Sequence, residues 1–375
     1  MRHYLCGVFL LLPIYALSAV TDRVIATVSV GNSPSGIAVT PNNRFAYVAN
    51  NDNAGLPNGN TVSVINLATN MVVKTISNAS FNQPYTVTIN AAGTKAYVTN
   101  SNSTTITIIN TATNTVTGII DGFDGPSGMV ITPSGDRAYV NNYGGPEGVK
   151  SGNGKTVRIV NLTTNSIIGA PITVGLAPAA ITISPDGAFV YTINYETGNP
   201  GTGTMSIIQT STNKVVGTIG GFSGPFAIAL TSDGNYAYVT NFGSNNFSPV
   251  GTTVSVVNLR SRAIVKTIKV GTQPSGIAIT PDGRFAYVTN YNTLYLGPNF
   301  TLLTPGPGIV NIIDIATNKV LPQLIMVGKS PADVTISPDG RFAYVTNYAS
   351  NTVSVINIVD NAWLKMCAQK VESCS

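Results

Sequence analysis

Bulky and small or polar residues alternate with a period of two along most of this chain, in short runs separated by turn residues. That pattern predicts half-buried β-strands. The runs recur in sets of four. Each set opens behind a proline, as in Pro34-Ser35-Gly36-Ile37-Ala38-Val39 and Pro274-Ser275-Gly276-Ile277-Ala278-Ile279. Turns such as Pro281-Asp282-Gly283, Pro185-Asp186-Gly187 and Pro338-Asp339-Gly340 follow; Pro presets φ and Gly accepts a positive φ. The second run ends in Tyr-Val-Thr-Asn or a variant of it. The third is dense in Val, Ile and Thr, as at 61–67, 105–110, 156–162, 252–259 and 352–358. A Thr-Asn turn then leads into a fourth run, such as 72–76 or 215–219.

The tetrapeptide occurs seven times, starting at Tyr47, Tyr97, Tyr139, Tyr191, Tyr238, Tyr287 and Tyr344, at spacings of 42 to 57 residues. A repeat of that length made of four strands predicts an all-β, seven-bladed β-propeller of four-stranded antiparallel blades. The last unit ends on its third strand, while residues 23–30 match the fourth strand at 263–270. An N-terminal outer strand is therefore expected to close the ring and remove the exposed edge. Residues 362–366 align with the fourth strand at 71–75 and compete for the same slot.

The tetrapeptide, the Pro-Ser-Gly-Ile-Ala start and the Pro-Asp-Gly turn resemble the YVTN family of β-propeller repeat proteins, over roughly residues 23–358. The resemblance implies an exported bacterial or archaeal protein of the periplasm or cell surface. It implies little about activity, because propellers serve many roles.

Composition agrees with strands and turns: charged residues are 9% and hydrophobic ones 43%, with abundant Gly and Pro. The N-terminus differs from the rest. Arg2 and His3 precede an apolar run that ends in Ala16-Leu17-Ser18-Ala19, the order of a secretory signal peptide. The expected organisation is a leader at 1–19, a propeller at 20–361 and a tail at 362–375, with no membrane span once the leader is removed; the alternative is an uncleaved anchor. Cleavage would remove Cys6 and His3, which is the only histidine, and lower the net charge from +5 to +4. Cys367 and Cys374 would remain, either closing a small disulfide loop in an oxidising compartment or standing as two thiols or an intermolecular bridge. The cationic residues are dispersed over equivalent positions of different repeats, Lys74, Lys214, Lys266 and Lys319 on one element and Arg44, Lys95, Arg137, Arg284 and Arg341 on another. Such a ring of separated charges speaks against nucleic acid.

In a four-stranded meander the loops joining strands two and three share a face with those joining one blade to the next. The long segments 51–60, 143–155, 195–203, 242–252 and 291–308 are all of the first kind, so one face collects the variability that binding uses. Immediately after the repeat asparagine five blades carry an aromatic, Tyr143, Tyr195, Phe242, Tyr291 and Tyr348, and two carry Asn51 and Ser101. These aromatics either form a partial ring around the channel mouth, suited to a glycan or extended peptide, or each packs beneath its own loop. The repeat tyrosines are expected in the core, and the repeat asparagines on backbone groups at the strand end. The innermost strands offer one ionisable group, Asp333.

A mature chain without histidine excludes Ser-His-Asp triads, imidazole acid–base chemistry and histidine-dependent metal centres. The remaining acids near the variable face, Asp52, Asp121, Asp124, Glu147, Glu196 and Asp333, show no calcium-loop spacing. The sequence therefore points to an exported binding module without cofactor or metal rather than an enzyme. Its partner is expected to be an envelope glycan, peptide or protein. The alternatives are a surface or periplasmic scaffold, a lactonase-like enzyme or a nucleic-acid binder.

Overall fold

The computed structural model describes residues 21–51, 60–144, 154–196, 201–243, 250–291 and 306–359. The expected leader, Asp52, Glu147, Cys367, Cys374 and the tail lie outside the described residues.

Seven four-stranded antiparallel sheets form a ring. The inner strands begin at Pro34, Pro84, Pro126, Pro178, Pro225, Pro274 and Pro331, and each packs against the inner strands of both neighbours, so that the seventh returns to the first. Blade 1 is typical: Pro34–Val39, Phe45–Asn50, Thr61–Asn66 and Met71–Ser77 pair in sequence order. Proline fits the start of an inner strand because it has no N–H to leave unpaired there. Blade 5 is longer than expected: its second and third strands, Tyr236–Gly243 and Val250–Asn258, continue pairing to Gly243 opposite Val250 and so use residues expected in a loop.

The N-terminal strand Arg23–Ser29 supplies the outer strand of blade 7, antiparallel to Thr352–Asn357. Asp22, just ahead of it, accepts hydrogen bonds from the Tyr287 hydroxyl of blade 6 and from the Val359 N–H at 2.7 Å. In three other blades the equivalent acceptor is the asparagine of the Thr-Asn turn. Tyr47, Tyr139 and Tyr238 donate to Asn114, Asn213 and Asn318 of the following blade at 2.5, 2.7 and 2.5 Å. Those asparagines hold φ near +54°, a conformation Asn tolerates better than most residues. Blade 7 has no such turn, because its outer strand comes from the other end of the chain, and Asp22 takes over the acceptor role.

The seven repeat tyrosines are at most 5% exposed and lie in apolar clusters, several of which span two blades. The repeat asparagines meet the expectation in part: Asn100, Asn142, Asn241 and Asn290 bond backbone groups, but hydroxyls take most of the bonds. Their side-chain amides mainly donate to hydroxyls of the third strand in their own blade, as Asn50 does to Thr61 and Ser63 at 2.9 and 3.0 Å and Asn347 to Thr352 and Ser354 at 3.1 and 2.9 Å. Two entry sequences surround them. In blades 2, 3 and 5, Phe81, Phe123 and Phe222 precede a residue whose N–H reaches the asparagine Oδ1, as Asp124 does with Asn142 at 3.1 Å. In blades 4, 6 and 7 a glycine presses against the asparagine instead: a Cβ at Gly271 would stand 2.7 Å from Asn290 Cγ.

Candidate functional site

The residue before every inner-strand proline holds a left-handed φ between 51° and 56°: Ser33, Gln83, Gly125, Ala177, Gly224, Gln273 and Ser330. Five of the seven are not glycine, and backbone of this kind is uncommon and mildly strained. Its effect is the same in all blades: the carbonyl of this residue accepts the N–H of the residue after the repeat asparagine, as Gln273 does from Tyr291 at 2.9 Å and Ser330 from Tyr348 at 2.9 Å. The position that varies between aromatic and polar is thereby clamped beside the start of the inner strand, at the mouth of the central channel.

There the seven blades enclose a cavity of about 600 Å³, to which every blade contributes. Four of the expected aromatics line it: Tyr143, Phe242, Tyr291 and Tyr348. Tyr195 does not. It is 5% exposed, packed with Ala177 and Ala179, and its hydroxyl donates to the Gly243 carbonyl of the next blade at 2.7 Å. The small residues of the blade 4 entry leave room for the ring, which turns into the wall and supports Tyr143 and Phe226 from behind. Asn51 and Ser101 also border the cavity and donate to the Gln83 carbonyl at 3.2 and 3.0 Å.

Two further aromatics escape the repeat comparison, Tyr85 and Phe226. Both follow the inner-strand proline directly, where the other blades carry Ser35, Ser127, Ala179, Ser275 and Ala332. The signal was present one residue from the positions compared. Phe226, Phe242, Tyr291 and Tyr348 form a continuous arc with successive ring centroids 5.2, 6.1 and 6.2 Å apart. Tyr85 enters from blade 2, where the residue after the repeat asparagine is Ser101. Burial, and then the nearness of Tyr143, Asp333, Tyr291 and Tyr348, hold its hydroxyl well above the usual phenol range. Burial also raises Tyr143.

Asp333 is the one acid in this wall, and no Lys, Arg or His is among the described residues lining the cavity. It occupies the position that Gly36, Thr86, Gly128, Ala180, Ala227 and Gly276 fill in the other blades. Its carboxylate accepts the Val334 N–H at 2.8 Å and, across the seam to blade 1, the Ile37 N–H at 3.3 Å. Burial nevertheless outweighs these bonds and raises the carboxyl to about 6. The other acids stand apart from it. Asp121 is exposed and bonded to Thr104 and Gly122, and Glu196 accepts from Leu176 and Thr204 at 3.2 and 3.1 Å. No group of three or more His, Cys, Asp or Glu residues suited to a metal occurs among the described residues.

An acid that ionises near 3.8 when unfolded and near 6 when folded favours the folded state only while protonated. Asp333 therefore withdraws stability as pH rises from about 4 to about 6. Asp333→Asn is expected to raise the melting temperature by a few degrees at pH 7.5, on the order of 1–2 kcal/mol, and to leave it unchanged near pH 4. Melting curves of both proteins at the two pH values check this.

No protein-family model matches the chain. A 59-residue segment is 49% identical to part of a PE-PGRS family protein of Mycobacterium tuberculosis, covering 16% of this chain and 13% of that protein. The chain thus spans only a small part of that relative's length. Among solved structures, a chain of Kuenenia stuttgartiensis hydrazine synthase superposes with a TM-score of 0.72 at 20% identity, over 88% of this chain and 96% of the other. That likeness is one of fold: both are propellers of the same architecture.

Proposed function

We propose that this chain is an exported binding propeller of the YVTN type, which recognises an envelope glycan, peptide or protein segment at the axial cavity on its long-loop face. The observation that carries this reading is the convergence of all seven blades on one cavity of about 600 Å³ edged by an aromatic arc. Flat rings around a concave, largely apolar site supply contact area at little conformational cost. The charged, apolar and small-residue order of residues 2–19 supports export. Binding is favoured over catalysis because Asp333 is the one carboxylate of the described cavity wall and no Lys, Arg or His lines it beside the tyrosines.

The test is equilibrium binding of the chain to fractionated envelope polysaccharide, peptidoglycan and protein, beside a Tyr143→Ala, Tyr291→Ala, Tyr348→Ala variant. Selective binding that falls at least tenfold in the variant, with its melting temperature little changed, is the expected result. Tyr195→Ala serves as the contrasting control. Because that ring is buried and hydrogen-bonded, its loss is expected to cost about 3 kcal/mol or more of stability.

A scaffold role has one observation in its favour. Exposed apolar residues gather on the outer strands, including Met71, Val73, Ile119, Val265, Leu324 and Met326, and make an apolar rim around the ring. Equal binding by the wild type and the triple variant, abolished by Met71→Lys and Leu324→Lys, would transfer the function to that rim.

A further inference from the structure

We propose that the axial cavity receives an organic cation, an alkylammonium head group seated among the rings of Phe242, Tyr291 and Tyr348 and paired with the carboxylate of Asp333. The proposal rests on the reading of the cavity as a ligand site and names the chemistry of what enters it.

A carboxylate ionised in a confined, largely apolar wall is stabilised by a compensating charge, and the described wall offers none. The backbone N–H groups of Val334 and Ile37 each occupy one of its oxygens and fix the carboxylate in place without neutralising it. Six blades carry Gly, Ala or Thr at this register, so the fold does not demand an acid there. The surroundings suit a cation and no other ion. Faces of aromatic rings attract positive charge through their quadrupoles, most strongly where water is excluded, and an arc of rings closed by an acid is the arrangement that holds ammonium groups. An anionic ligand would meet Asp333 with no cation to offset it. A neutral one would find an apolar seat but no use for the charge.

The ionisation of Asp333 also sets a pH response. The titratable groups beside it in the described wall are the phenols of Tyr85, Tyr143, Tyr291 and Tyr348, of which burial holds Tyr85 and Tyr143 above the usual phenol range, and Asp333 is the one carboxyl there. Affinity for a cation is expected to weaken as pH falls through about 6, and a neutral ligand should not respond.

The experiment titrates the full chain with choline, with N-acetyl-lysine amide and with 3,3-dimethylbutan-1-ol, the uncharged carbon isostere of choline, by ligand-observed NMR and calorimetry at pH 7.5. At least one cation is expected to bind tenfold or more tightly than the isostere. Asp333→Asn should reduce that difference at least threefold, and so should lowering the wild type to pH 5, leaving only the attraction of the rings themselves. Preference for choline would assign the ligand to a methylated head group, and preference for the lysine derivative to a primary amine. Equal binding of choline and its isostere, or cation binding that ignores both Asp333→Asn and pH, overturns the proposal. So does binding of an envelope fraction lost in the triple aromatic variant while neither cation binds, and in that case the cavity reading itself survives. Should Asp333→Asn fail to fold, the pH comparison on the wild type decides.

Discussion

Removal of residues 21–30 is expected to lower the melting temperature by 10 °C or more, or to leave a chain that associates through its open edge. The segment contributes six register pairs with Thr352–Asn357, the buried Val28, and Asp22 with its bonds to Tyr287 and Val359. Losing them exposes apolar side chains and unpairs a strand, together on the order of 5–10 kcal/mol. A domain's whole stability is about 5–15 kcal/mol. Thermal melting and sedimentation of the shortened chain are the measurements. An unchanged midpoint in a monomer would show that another segment takes the vacated edge, for which 362–366 is the sequence match.

The second large effect is expected from Gly36→Val. A Cβ at Gly36 would stand 2.5 Å from the Tyr85 carbonyl oxygen and 2.8 Å from Thr86 Cα, both backbone atoms of the adjoining inner strand. Neither can swing aside as a side chain would. Because the inner strands close on themselves, pushing blades 1 and 2 apart strains the rest of the ring. Overpacking commonly costs about 1–3 kcal/mol, and against fixed backbone the upper end or more is expected. Since Tyr85 lines the cavity, ligand binding should fall with stability. Gly220→Ala is the control: a Cβ there meets nothing within 4 Å, and φ is not positive. Its melting temperature should be unchanged or slightly higher.

The architecture was legible because each blade repeats the same local decisions. Proline starts the inner strand, Tyr-Val-Thr-Asn or a variant closes the second in every blade, and in five blades a Thr-Asn turn enters the fourth, so weak signals reinforce one another. Ring closure was legible for a related reason, since 23–30 matches a fourth strand that blade 7 lacks. The cavity was harder to read. Equivalent positions predict equivalent directions, yet Tyr195 turns into the wall while Tyr143, Phe242, Tyr291 and Tyr348 line the opening. What separates them is the size of neighbours such as Ala177 and Ala179, a property of packing that periodicity does not carry. Tyr85 and Phe226 escaped because one residue type at one register was compared across blades, whereas the cavity collects rings from two registers. The asparagines bond third-strand hydroxyls as well as backbone groups, and the hydroxyls were missed because the strand-end asparagine was read without its cross-strand neighbours.

The strand that closes the ring also sets the order in which the protein can be built. Arg23–Ser29 precedes every other described strand along the chain, and its partner Thr352–Asn357 follows them all. Holding a loop of that length closed costs roughly 5 kcal/mol of chain entropy, recovered only when the final blade docks. Until then the growing chain carries an unpaired strand at one end and an open sheet edge at the other, the state in which neighbouring copies exchange strands. The same arrangement makes the closing strand detachable in principle. A peptide spanning 21–30, added to the shortened chain, should restore its melting temperature by completing blade 7 from outside.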